Sequence, residues 1–193
     1  MKRAHFSLLY AVALLVAMSA GCHKESNPAN PGEEVEHPPA TSFTFVLLGN
    51  DGATVVDTCL VRDTTLVKGL PALVGRLDLV AGQTYKGTLR MYDESVTPTK
   101  NINQDIISEA EAHVFVYTDA GSRITFSNLD KDDKGLTFGL NFTLTVSAGS
   151  AASGAIHVIL QHHDDGVKFN TNGSYHEPYD LDIDADVPYS ITQ

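Results

Sequence analysis

The chain has 193 residues with 24 acidic against 13 basic side chains, a formal net charge of −11. That balance excludes nucleic acid as a partner, because phosphate backbones need basic contacts. Two cysteines, Cys22 and Cys59, are too few for a disulfide framework.

The N-terminus begins Met1-Lys2-Arg3, runs through an apolar stretch from Phe6 to Ala17 and ends in Ser19-Ala20-Gly21-Cys22. This is the three-part layout of an export signal. The apolar run is too short for a membrane span, which takes about 20 helical residues, so residues 1–21 are expected to be removed. Small residues before a cysteine resemble the lipobox of bacterial lipoproteins, which implies lipidation at Cys22. Several acyl chains on one cysteine hold firmly, at about 0.8 kcal/mol for each buried methylene. The alternative is an ordinary secretory signal that leaves Cys22 as a free thiol. His23 stands in the second position, where an aspartate would resemble an inner-membrane retention signal, so the expected location is the outer membrane, periplasmic or surface-facing.

Residues 22–40 contain Pro28, Pro31, Pro38, Pro39 and the acidic run Glu33-Glu34-Val35-Glu36. They offer too little apolar surface to offset ordering entropy and read as a disordered tether. Residues 22–193 carry 11 basic against 24 acidic side chains. The remaining length, 41–193, suits one domain with its own core.

Along that domain the apolar pattern has a period of two residues, bounded by Gly, Asn and Asp. Phe43 to Leu48 and Thr54 to Val61, joined by Asn50-Asp51-Gly52, predict a hairpin. Gly75 to Val80 and Thr84 to Tyr92, joined by Ala81-Gly82-Gln83, predict a second pair, with Tyr85, Leu89 and Met91 on one face and Lys86, Thr88 and Arg90 on the other. Asp105 to Ala110 is the single helical candidate. Strands are expected at Ala112 to Thr118 and Arg123 to Ser127. Leu136 to Val146 and Ala155 to His163 are expected to form a long hairpin across residues 148–154, and Asp186 to Thr192 to close the chain. The fold class is all-β: an antiparallel β-sandwich, Ig-like or fibronectin-like, in a single domain.

The segments "LVAGQTYKGTLRMYDES", "EAEAHVFVY", "DKDDKG", "GAIHVILQHHDD" and "DIDADVPYSI" together resemble a family of small Bacteroidetes outer-membrane lipoproteins. Some of its members are labelled with a type 1 periplasmic-binding fold. Such a fold needs two α/β lobes and about twice this length, which the strand pattern here contradicts. The resemblance implies an accessory of a TonB-dependent outer-membrane receptor, and it singles out His113 and His162, which stand at the family's Glu-x-His and Leu-x-His positions.

The residues also suggest chemistry. His113, on an expected strand, lies two residues after Glu111, so the pair could offer imidazole and carboxylate on one face. His157, Gln161 and His163 share a face of the later strand, and His162 faces the other way. With Asp164, Asp165, His176 and Glu177 nearby, these side chains suit a divalent transition metal such as zinc, copper or nickel; the alternative is polar histidines on acidic strands. Expected ligands are Glu111, His113 and His162, with His163 and His157 as further candidates. "DKDDKG" places Asp130 and Asp132 as in a calcium loop, yet Lys134 occupies a ligand position and Asn141 replaces the closing glutamate. A plain turn explains the same residues. Asp180, Asp182, Asp184 and Asp186 alternate as either a solvated strand face or a cation-attracting stripe.

No Gly-x-Ser-x-Gly elbow, phosphate-cradling loop or His-Glu-x-x-His occurs. The expected function is a non-catalytic binding or accessory module, capturing a small ligand or divalent metal beside a receptor. The alternative is a structural or adhesive surface domain.

Overall fold

The structure, a computed structural model, describes residues 38–49 and 51–193. Cys22, the signal and most of the tether lie outside the described residues. From Pro38 onward the chain forms two packed sheets. One contains β1 (Ser42–Leu48), β2 (Val55–Arg62), β3 (Leu73–Val74), β5 (Thr84–Asp93), β6 (Lys100–Asn101), β8 (Ile124–Ser127) and β9 (Asn141–Val146). The other contains β4 (Leu77–Val80), β7 (His113–Asp119), β10 (Ala152–His162) and β11 (Asp180–Thr192). The strand orders are β3-β2-β1-β5-β9-β8, with β6 added beside β5, and β4-β11-β10-β7. The fold is thus the all-β sandwich that the alternation predicts. Every pair is antiparallel except β4 with β11, which run parallel.

The inner faces follow the two-residue period. Gly87, Leu89, Met91 and Asp93 of β5 are buried, whereas Lys86 and Arg90 are exposed. Ile156, Val158 and Leu160 of β10 point into the same core. Aromatic rings join the sheets: Tyr117 of β7 lies 4.8 Å from Phe142 of β9 and 4.6 Å from Phe126 of β8, centroid to centroid. Burial pushes the Tyr117 phenol well above its usual pKa, and its hydroxyl donates to Gly139 O at 2.7 Å. Gly87 is required by packing, since a Cβ there would fall inside the Phe142 ring.

The first hairpin forms as expected, with β1 against β2 from Ser42↔Arg62 to Leu48↔Val55. The Asp51 carboxylate caps its turn, accepting from the backbone N–H of Ala53 and Thr54, both at 2.9 Å. Helix α1 (Asn103–Ser108) overlaps the predicted helical stretch and buries Ile106.

Two expected hairpins are corrected. Residues 75–80 and 84–92 do not pair, because β4 and β5 belong to different sheets. The turn itself changes sheet: Ala81 N donates to Thr192 O on β11, while Gly82 N donates to Val146 O and Gln83 O accepts from Val146 N on the β9 side. Likewise β9 and β10 lie in different sheets, and the Arg123 guanidinium clasps their connection through Ser147 O and Ser150 O. Alternation reports which face is buried and says nothing about which neighbour a strand takes. Two further boundaries move. Residues 136–140 are not strand, because the N–H groups of Phe138 and Gly139 both turn to Asp130 O. The last strand begins at Asp180, six residues before the expected start.

Candidate metal centre

His113 opens β7 and His162 ends β10, directly opposite each other in the strand register. Their rings stack at 4.5 Å with a tilt of 31°. Both share the inner side of the sheet with Phe115 and Leu160, at the end of the sandwich below α1, and both are buried. The pair forms within one sheet, between the neighbouring strands β7 and β10.

The third member is Glu109, the residue that ends α1. One ligand atom from each of Glu109, His113 and His162 lies within 4.8 Å of the others. His113 Nδ1 contacts the Glu109 carbonyl oxygen at 2.9 Å. A carbonyl only accepts, so Nδ1 is the donor and Nε2 is the nitrogen left to ligate a metal. That Nε2 stands 3.2 Å from Asp182 Oδ2, close to the separation of about 3.3 Å that two ligands of a tetrahedral ion with bonds near 2 Å require. Two imidazoles with carboxylates suit zinc or another borderline divalent ion. Asp182 also lines a cleft of about 320 Å³ between β1, β2 and β11, walled by Phe43, Val61 and Arg62. Arg62 is held there by Glu94 at 2.7 Å.

Glu111 does not join the site. It lies in the turn between α1 and β7, not on the strand, so strand alternation does not apply to it. Its exposed carboxylate instead pairs with Lys134 Nζ at 2.8 Å. His157 is on the outer face of its sheet, with Nδ1 2.9 Å from Asp186 and Nε2 3.4 Å from Asp184. His163 is fully buried on the side opposite His162, 5.4 Å from the Tyr179 ring, and neither of its ring nitrogens has a hydrogen-bond partner. Burial holds its pKa below the ordinary histidine value.

The calcium-like turn is corrected as well. Asp130 accepts from the backbone N–H and side-chain amide of Asn141, at 3.1 and 2.6 Å. Asp132 turns inward, accepting from Leu136 N at 2.8 Å and meeting Lys168 Nζ. The two carboxylates are committed to different protein donors, as a turn needs and a calcium loop does not.

Sequence reasoning missed Glu109 and Lys168. Glu109 stands four residues before His113, a spacing that a helix end brings together and a strand does not. No local pattern marks Lys168.

No family model matches the chain, and no curated protein matches it. Among solved structures it is similar to domains 4 and 5 of the S-layer protein SbsC, at 14% identity over 78% of this chain and 77% of that one, with a TM-score of 0.28.

Proposed function

We propose that the protein is a lipid-anchored, non-catalytic binding module of the bacterial envelope that holds a divalent transition metal at Glu109, His113 and His162. The observation that carries the metal reading is the convergence of these three ligand atoms within 4.8 Å of one another. Asp182, 3.2 Å from His113 Nε2, offers a further oxygen. Attachment rests on the Ala20-Gly21-Cys22 sequence. The place beside a TonB-dependent outer-membrane receptor rests on the family resemblance alone. A net charge of −11 concentrates cations near the surface and supports capture.

Zinc and copper titration at neutral pH, on the wild-type chain and on His113→Ala, tests the reading. Stoichiometric binding by the wild type and at least a tenfold loss in the variant are expected. Equal binding by both proteins would remove the site and leave a structural or adhesive surface domain.

A further inference from the structure

Lys168 lies in the excursion between β10 and β11, and Asp132 in the turn between β8 and β9. Both side chains are fully removed from solvent, and Nζ stands 2.6 Å from Asp132 Oδ2. Nζ donates to two backbone carbonyls, Ala110 O and Thr137 O, each at 2.9 Å. The third contact differs: Oδ2 is buried without an aligned hydrogen bond despite the short approach. A neutral amine has two N–H bonds and one lone pair. Two carbonyls take the N–H bonds, and the carboxyl group lies against the same nitrogen.

We propose that Lys168 and Asp132 condense into an intramolecular amide, joining the β10–β11 excursion covalently to the β8–β9 turn. The ion pair and the neutral amine–acid pair differ only by one proton moved from Nζ to Oδ2, so no outside acid or base is required. Burial penalises both charges and favours the neutral pair. It also lowers the Lys168 pKa. Burial likewise acts to raise Asp132, although the adjoining Lys168 ammonium and the bond from Leu136 N leave its carboxyl below the usual value while the pair is charged. In the reaction the Nζ lone pair attacks Cγ, and the Nζ–Cγ bond forms. The Leu136 N–H, already 2.8 Å from Oδ1, stabilises the negative charge that develops there. The Cγ–Oδ2 bond then breaks. Oδ2, carrying the proton it received and a second one from nitrogen, leaves as water. Nothing is oxidised or reduced. Holding the two groups in contact replaces an encounter in solution with a reaction at high effective concentration.

The test is mass spectrometry of the full purified chain. The wild type is expected to be lighter by one water, relative to Lys168→Arg or Asp132→Ala, than the substitution accounts for. N-terminal processing cancels in that comparison. A tryptic digest of the wild type provides a measurement that does not depend on the variants folding. The amide would leave Asp132–Lys134 attached to an uncleaved Gly135–Gln193, because trypsin does not cut after an acylated lysine. Release of free Asp132–Lys134 together with complete cleavage between Lys168 and Phe169, or a mass difference equal to the substitution alone, would overturn the proposal.

Discussion

The Tyr189 hydroxyl donates to Asp119 Oδ1 at 2.9 Å, tying the C-terminal part of β11 to the end of β7 across the intervening β10. The same carboxylate accepts from the backbone N–H of Gly121, Arg123 and Ile124. Burial alone would raise its pKa, but these four donors outweigh it and hold Asp119 below the usual carboxylate value. Burial and the neighbouring carboxylate push Tyr189 up to about 12.

Asp119→Ala is therefore expected to cost about 2 kcal/mol, the scale of losing hydrogen bonds to a charged group and leaving donors unpaired. A group whose folded pKa is depressed stabilises the fold above its unfolded value and loses that contribution as pH falls through the folded one. Wild-type stability should thus drop on acidification below about 4, and the variant should show a shallower drop. Urea unfolding at several pH values measures both. Parallel pH profiles would mean that the carboxylate is not the stabilising group.

His163 titrates in a higher window. Its imidazole is buried without a partner, and protonation would place an uncompensated charge in the interior. Burial is the main cause of its lowered pKa; His176, Lys168 and His162 add to it, and Asp165 partly opposes it. The neutral form is the folded form, so the stabilisation is complete above the ordinary value of 6.5 and declines as pH falls below it. His163→Leu should flatten thermal stability between pH 7 and the acid limb, given as about one proton fewer taken up on unfolding. An unchanged slope would contradict the burial argument.

The two glutamates separate the structural site from the one read off strand spacing. Glu109→Gln should weaken zinc binding about tenfold or more, whereas Glu111→Gln should leave it unchanged, on the scale of lost ligands and supporting groups. Affinity should fall on acidification, because ligation needs neutral imidazole. Isothermal titration of the two variants decides it, and equal effects would refute the assignment of Glu109.

Core substitutions test the sandwich. Leu89 is fully buried, so Leu89→Asp should cost several kcal/mol, comparable with the whole stability of a domain at about 5–15 kcal/mol, and abolish cooperative unfolding. Gly87→Ala should cost about 1–3 kcal/mol through displacement of the Phe142 ring. A wild-type melting temperature in Gly87→Ala would show that the two side chains do not pack as described.

Much of this architecture is legible in the residues themselves. Alternation along Tyr85–Met91 and Ile156–Leu160 assigns strands and their inner faces, because side chains on a strand change sides at every residue. The first hairpin is local, closed by a turn whose Asp51 carboxylate binds its own backbone, so the sequence alone locates it. His113 and His162 are singled out by the family resemblance; His157 and His163, expected as further candidate ligands, stand apart from that pair, His157 against Asp184 and Asp186 and His163 against Tyr179. Tertiary structure decided the rest. Period-two alternation cannot distinguish a hairpin from a corner between sheets, since β4 and β5 bury the same kind of face either way; the hydrogen bonds of Ala81, Gly82 and Gln83 make that choice. Glu109 replaces Glu111 because a short helix ends at Ser108, leaving Glu109 at its C-cap, and α1 is held by the burial of Ile102 and Ile106 with Asn101 Oδ1 accepting from Asn103 N. Lys168 and Asp132, 36 positions apart, meet only because the turn and the excursion fold onto the same end of the core. Proximity of that kind is a property of packing, in which distant segments share one water-excluded volume, and no periodicity in the chain encodes it.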